Sequence, residues 1–361
     1  MRLASFCYPP GGPMKSVFQK SWLVCVLATA AWSAHAEGFN FYALLDGGMA
    51  STSINKGGSS KTEFVTGGYA PNFMGMSSEK TLGNGLSAGF KLEQGFLLNA
   101  KDGTYWWFGK DSLFNRQANL YVKGGFGSIT AGTQGNLAFS SVLLGEPRAG
   151  SNYGSSLASI AIDGGLGTVD QGALSYTTPT VNGWTASAAY VPEIKDGPKS
   201  GERFSVTYSA KDYSATFAAY ANDLGATKAK GYVAGAFYKL GALTLKGLVM
   251  NQDNGASQTP LSSLDTFGMG GSYAITADLT ADFGVYKSSD AAARYKASTF
   301  ATGLQYKFLK DLTVYGQYAS VKNQDTTSAA FNFAGPTLLT GSVAAGQAAS
   351  TVNVGLLYSF F

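Results

Sequence analysis

The amino-acid sequence predicts an all-β fold, a 16-stranded antiparallel transmembrane β-barrel with short turns at one end and long loops at the other. Three observations carry this. Charged residues make up 13% of the 361 positions, about half the share in an ordinary globular domain, while 45% are apolar. Alternation with a period of two recurs along the chain. Beyond the extreme N-terminus no apolar run approaches the ~18 residues that a membrane-spanning helix needs. Composition alone leaves a soluble β-sandwich or propeller equally open. The order of strands and loops decides between them.

The N-terminus reads as a targeting segment. From Met14 the chain runs "MKSVFQKSWLVCVLATAAWSAHAEG". Lys15 and Lys20 precede a short apolar stretch from Trp22 to Trp32, and Ala34-His35-Ala36 has the small-x-small form of a signal-peptidase site. Residues 1–36 are therefore expected to be a signal peptide, with Met14 the true start and cleavage after Ala36. Cleavage removes Cys7, Cys25 and the one histidine, His35. Taking Arg2, Lys15 and Lys20 from the 26 basic residues leaves 23 against 22 acidic ones, a net charge of +1. The +4 of the full chain is thus no argument for an acidic partner, and no nucleic-acid partner is expected.

In the body, "ERFSVTYSAKDYSATFAAYAND" shows the repeating unit. Phe204, Val206, Tyr208 and Ala210 alternate with Arg203, Ser205, Thr207 and Ser209, then Lys211-Asp212 turns the chain into a second alternating arm. Such units give strands at 38–49, 72–81, 85–97, 113–123, 127–134, 170–178, 183–192 and 202–210. They continue at 213–222, 230–239, 242–251, 264–274, 277–287, 297–307, 311–321 and 350–361. Seven connections are tight and eight are generally longer, among them 50–71, 98–112, 135–169, 252–263 and 322–349. Segregation of loop length by side is the layout of an outer-membrane barrel. One additional hairpin within 322–349 would raise the count.

In hydrocarbon every backbone N–H and C=O needs a partner, so the sheet must close on itself. The final strand, "VNVGLLYSFF", must then pair with the first, "GFNFYALLDGGM". Parity assigns Lys91, Glu93, Arg203, Lys246, Asp282 and Lys307 to the lumen, because a charge facing lipid at mid-membrane costs about 2–4 kcal/mol. These residues either shape the passage or merely keep it wet. Arg116 falls on the lipid-facing parity with Ala118, Leu120 and Val122, so it sits at a rim or a bulge turns it inward.

Three stretches carry a family resemblance. "FYALLDGG" (Phe41–Gly48), "LGNGLSAGFKLEQGF" (Leu82–Phe96) and "LFNRQANLYVKGGFGSITAG" (Leu113–Gly132) resemble strands of the trimeric general porins of β-proteobacteria. The match covers the first third of the chain and the C-terminal strand. It implies a homotrimeric outer-membrane diffusion porin whose loop 3 folds into each pore. It also implies that the C-terminal aromatics Tyr358, Phe360 and Phe361 are read by the barrel-assembly machinery, with Phe361 one residue beyond the usual final aromatic. The implied surroundings are outer-membrane lipid and lipopolysaccharide, and the implied permeants are small hydrophilic solutes and inorganic ions. Basic residues that the family often has near Phe73 and Thr133 are missing here.

Loop 3, "GNLAFSSVLLGEPRAGSNYGSSLASIAIDGGLG", carries Glu146, Arg148 and Asp163 as its only charges. Folded inward, they would oppose a basic wall of Lys91, Arg203 and Arg116 and set a transverse field. The alternative is an extracellular lid. A weakly anion-selective pore is expected; the alternatives are a substrate-specific channel for a small nutrient such as an organic acid, and a plugged structural barrel. Enzymatic function is not expected: without His35 and the cysteines the mature chain lacks the usual general base and the soft zinc ligands. Loop carboxylates such as Asp163, Asp170, Glu193 and Asp196 remain, but no catalytic, cofactor or metal site is assigned to them. N-terminal sequencing of outer-membrane material should begin at Glu37; retention of residues 14–36 would contradict the processing.

Overall fold

The computed structural model describes residues 38–58, 60–99, 113–163, 165–193, 199–255, 263–290, 295–324 and 343–360, the side chains of 161–163 and 295 excepted. The expected signal peptide, Asp196, the Asp163 side chain, Phe361 and most of the 322–349 stretch lie outside these residues.

The first strands are β1 (Phe39–Ile54), β2 (Ser60–Thr66), β3 (Phe73–Gly83), β4 (Leu86–Gly95), β5 (Gln117–Gly124) and β6 (Gly127–Gly135). Two helices follow, α1 (Leu137–Gly145) and α2 (Leu157–Asp163). Then come β7 (Val169–Thr177), β8 (Trp184–Val191), β9 (Ser200–Ser209), β10 (Tyr213–Asp223), β11 (Lys228–Leu240) and β12 (Leu243–Asp253). The last are β13 (Ser263–Ala274), β14 (Leu279–Asp290), β15 (Tyr295–Leu309), β16 (Leu312–Asn323) and β17 (Ala348–Phe360). Neighbours pair antiparallel, and β17 returns to β1 with Ala43 opposite Phe360 and Ile54 opposite Ala349. The barrel is closed, as the need to pair every backbone group requires.

The sixteen expected strands are all present, yet the first connection differs from expectation. Residues 50–71 are not one long loop. β1 continues to Ile54, turns at Lys56-Gly57, both with positive φ, and returns as β2. β2 and β3 both pair with β1, so together they fill a single barrel position interrupted at 67–72. Small polar residues on β1 (Ser51, Thr52 and Ser53) weaken the apolar alternation there, which hides the strand in the sequence. β5 also begins later than expected, at Gln117, so Arg116 lies ahead of the strand and its parity does not apply.

Alternation sorts the side chains. Leu120, Phe217, Tyr232, Phe267, Phe300, Leu304, Val352 and Val354 stand exposed on the outer face. At the short-turn end, Trp184, Tyr208, Tyr213 and Tyr238 form a chain of ring contacts with centroids 5.0, 5.7 and 6.3 Å apart. This is the aromatic girdle expected where a barrel wall meets the membrane interface. Tyr358 and Phe360 extend it.

The seam is tight where glycine allows it. A Cβ on Gly48 would lie 2.3 Å from the Val354 carbonyl oxygen of β17. Gly48→Val should therefore lower the yield of heat-modifiable folded barrel, read by gel mobility, whereas Met49→Val on the exposed outer face should not. Equal yields would show that the seam tolerates the extra bulk.

Candidate functional site

Loop 3 enters the barrel as two helices rather than an irregular loop. Asn136 starts α1: its Oδ1 accepts from the Ala138 and Phe139 amides at 2.8 and 3.1 Å. Its Nδ2 donates to the Asp170 carboxylate at 3.1 Å, and the same oxygen accepts from Arg203 Nη2 at 2.9 Å. A register shift in the β6–β7 ladder and the positive φ of Gly172 accompany this inward-turned Asp170. Arg203 also donates to the Glu202 and Ala221 carbonyls and is only 7% exposed. It anchors the root of loop 3 and offers the passage little free charge.

α1 is mostly apolar, with Ser140 and Ser141 the exceptions, and lies against the inner wall. It packs on β8 to β12 with Ala138 and Val142 fully buried. Ser141 Oγ meets Thr216 Oγ1 of β10 at 3.0 Å. Gly145 meets Gly235 of β11 so closely that a Cβ on it would fall 2.7 Å from the Gly235 Cα. Pro147 follows the helix end.

Beyond α1 a buried polar latch ties the loop to the wall. Glu146, fully buried, accepts from the Arg148 and Ser156 amides at 3.2 and 3.1 Å, and from the hydroxyls of Ser156 and of Tyr286 on β14. Arg148 is 1% exposed. Its Nε donates to Asp282 at 2.6 Å, Nη2 to Gln317 Oε1 at 2.9 Å, and Nη1 to the Tyr153 and Gly154 carbonyls. Burial lifts the Tyr153 phenol above its ordinary range, and the Glu63 and Asp46 carboxylates add to the rise. Neither Glu146 nor Arg148 presents its charge to a solute, in contrast to the expectation of a charged loop rim. A buried charge is retained only when it is paired or fully hydrogen-bonded: Arg148 has Asp282 as counter-ion, and Glu146 is held by amide and hydroxyl donors alone.

The interrupted segment 67–72 completes the latch. Asp46 of β1 accepts from the Tyr69 and Ala70 amides, each at 2.6 Å, and from the Tyr315 hydroxyl at 2.6 Å. Gln317 Nε2 donates to the Gly68 carbonyl and to Asn353 Oδ1. Asn152 of loop 3 donates to the Gly67 carbonyl at 2.6 Å. One network thus joins loop 3 to β1, β14, β16 and β17. Sequence reading did not assign Asp46, Gln317 or Tyr286 to loop 3. The isolated Asp of the "LDGG" motif was the available signal for Asp46.

Open charge sits on the opposite wall. Lys91 Nζ lies 2.8 Å and Arg116 Nε 3.2 Å from the two oxygens of Glu93. Tyr42 donates to the same carboxylate at 3.0 Å, and the Arg116 guanidinium stacks 4.4 Å over the Phe73 ring. Arg116 therefore turns inward. The Lys91 and Arg116 side chains keep 38% and 19% of their surface, while Glu93 keeps 4%. Phe73, near which the resembled family often has a basic residue, serves as the platform for Arg116. Lys246 faces the lumen half-buried, and Lys307 faces it exposed. The structure thus brings Lys91 and Arg116 together, and puts Arg203, Glu146 and Arg148 in the anchoring of loop 3.

The chain matches the family model for the Gram-negative porin over residues 23–326. It is 23% identical to outer membrane porin protein 32 of Delftia acidovorans, over 95% of this chain and the whole of the relative. Its fold resembles the anion-selective porin from Comamonas acidovorans with a TM-score of 0.77 at 21% identity, covering 89% of this chain and 99% of that one. It also resembles Salmonella typhi OmpF in complex with daunomycin (TM-score 0.68, 16% identity, 89% and 97% covered). The trimer form of OmpT of Vibrio cholerae aligns with a TM-score of 0.62 at 14% identity over 89% and 99% of the two chains. A closed sixteen-position barrel, a polar lumen narrowed by loop 3 and this family match lead to one conclusion: the chain belongs to the Gram-negative porins and is an outer-membrane channel protein.

Proposed function

We propose that the chain forms a water-filled passage for passive diffusion of small hydrophilic solutes, with a weak preference for anions. One observation carries the sign. Among the described residues the carboxylates Asp46, Glu93, Asp170, Asp282, Asp290 and Glu146 are buried and the partly open Glu79 and Glu63 are paired with Lys123 and Lys61, whereas the cations Lys91, Arg116, Lys246 and Lys307 keep accessible surface. A permeating ion meets the accessible charges at short range, and buried ion pairs present it with little net field. The anion-selective neighbour supports the same sign.

The reading extends to processing, assembly and surroundings. The signal peptide is removed after Ala36, and the protein works as a homotrimer, in keeping with the trimeric form among its structural neighbours. Tyr358, Phe360 and Phe361 serve the barrel-assembly machinery, and lipopolysaccharide surrounds the outer face. The alternative of a nutrient-specific channel has no observation of its own in its favour.

Planar-bilayer recordings across a KCl gradient test the selectivity. Lys91→Gln with Arg116→Gln should move the zero-current potential toward cations, because a charge at contact distance in water is worth about 1 kcal/mol, or about fivefold in permeability ratio. An unchanged potential at low salt would remove these residues from the ion path. Asp282→Ala should behave differently. It leaves the Arg148 guanidinium buried without its counter-ion, a cost of about 3–5 kcal/mol. Increased open-channel noise with unchanged β-sheet circular dichroism is expected; quiet channels would show that loop 3 is held without this pair.

A further inference from the structure

The lipid-facing surface of β14 to β16 carries a row of lysines at the end nearest the long connections. Cross-strand register sets Lys287 opposite Ser298 and Ser298 opposite Lys322, with Lys296 one pair further out, opposite Ser289. All three lysines are exposed, and they share the outward parity of Val285, Phe300 and Tyr318. Among the described residues none of them forms an ion pair.

Neighbouring strands treat such charges differently. Lys228 is cross-strand partner to Asp223, and Lys230 to Asp253. In the lysine sector the flanking outward carboxylate is Asp265, whose Oδ1 already accepts from Asn251 Nδ2 at 2.7 Å. Among the described residues, three like charges therefore stand with one engaged acid beside them. Below the row the surface dips into a groove of about 610 Å³. Ser298, Ser320 and Ala348 leave it low, while Phe267, Val285 and Phe300 wall it. Lys287 and Lys322 both line it, two strand spacings or roughly 10 Å apart. The surface thus offers cations at interface height and an apolar trough running toward mid-membrane.

We propose that this sector is a binding site for a phosphorylated, multiply acylated amphiphile of the outer leaflet. Its phosphate lies between Lys287 and Lys322 with Lys296 above, and one acyl chain fills the groove. Charge complementarity selects this occupant: a neutral lipid would leave three ammonium groups uncompensated, and a free anion would leave the groove unused. The inference rests on the reading that lipopolysaccharide surrounds the barrel, and it assigns the place and the contacts.

Native mass spectrometry of the folded protein tests it, with bisphosphorylated lipid A, dephosphorylated lipid A and inorganic phosphate as separate probes. The wild type should retain the bisphosphorylated lipid. Lys287→Gln with Lys322→Gln should weaken retention about tenfold or more, while the control Lys228→Gln with Lys230→Gln should change it less than about twofold. Lys287→Arg with Lys322→Arg should retain it, which separates charge from folding, and conductance should stay unchanged in every variant. Equal retention of dephosphorylated lipid, or equal retention by the Gln double variant, would overturn the site. Saturation by inorganic phosphate alone would overturn the choice of a lipid. Loss of the oligomer with unchanged lipid retention would assign the face to a second copy of the chain. If no lipid binds the wild type, the broader reading of the surroundings fails rather than the site alone.

Discussion

Hydrocarbon cannot hydrogen-bond to a peptide group, and nearly everything in this barrel descends from that. A strand exposed to lipid must find both of its neighbours in protein, so the sheet closes, and the C-terminal strand pairs with the first along twelve residues of register from Ala43–Phe360 to Ile54–Ala349. Closure divides every strand into an outer and an inner face with a period of two. Apolar and aromatic side chains go outward because lipid accepts them, and polar groups go inward because water or other polar groups must receive them. Loop 3 then lies among polar groups, and its own carbonyls and carboxylates join them.

The use of charge follows from the same division. Inside the lumen most acids are engaged in holding chain segments together. Asp282 holds Arg148, Asp170 holds Arg203 and the cap of α1, and Asp46 organises the break between β2 and β3. Each pairing removes a negative charge from the passage while satisfying donors that would otherwise be buried alone. Lys91 and Arg116 share one carboxylate between two cations and remain partly open. The sign of the field along the proposed passage is thus a by-product of how loop 3 is fastened, and the net charge of the chain says little about it.

Strand order and closure were legible in the sequence because the two-residue period and the segregation of loop lengths are imposed by the membrane along the whole chain. Parity also placed Lys91, Glu93, Lys246 and Asp282 inward. What was not legible depended on contacts between segments distant in sequence. Arg148 and Arg203 read as lumen charges, yet their partners Asp282 and Asp170 lie 134 and 33 residues away. Parity alone put Arg116 with the lipid-facing residues and left an inward turn open, because the alternation cannot show that β5 starts only at Gln117 and leaves Arg116 ahead of the strand. β2 was missed because a short segment of mixed polarity resembles a loop until its pairing with β1 is seen. The inward course of loop 3 came from family resemblance; the apolar run of α1 is consistent with it but does not by itself distinguish a wall inside the barrel from any other.

The central claim is that accessible cations, with the described lumen acids buried or paired, set the preference of an open diffusion pore. The direct test is the zero-current potential of the unmodified protein in a planar bilayer, measured across a fixed KCl ratio at low and then at high total salt. The account predicts a potential of anion-selective sign that shrinks as salt rises, because partly exposed charges are screened over about 10 Å at 0.1 M and about 3 Å at 1 M. A cation-selective sign at low salt, or no conductance at all, would contradict it.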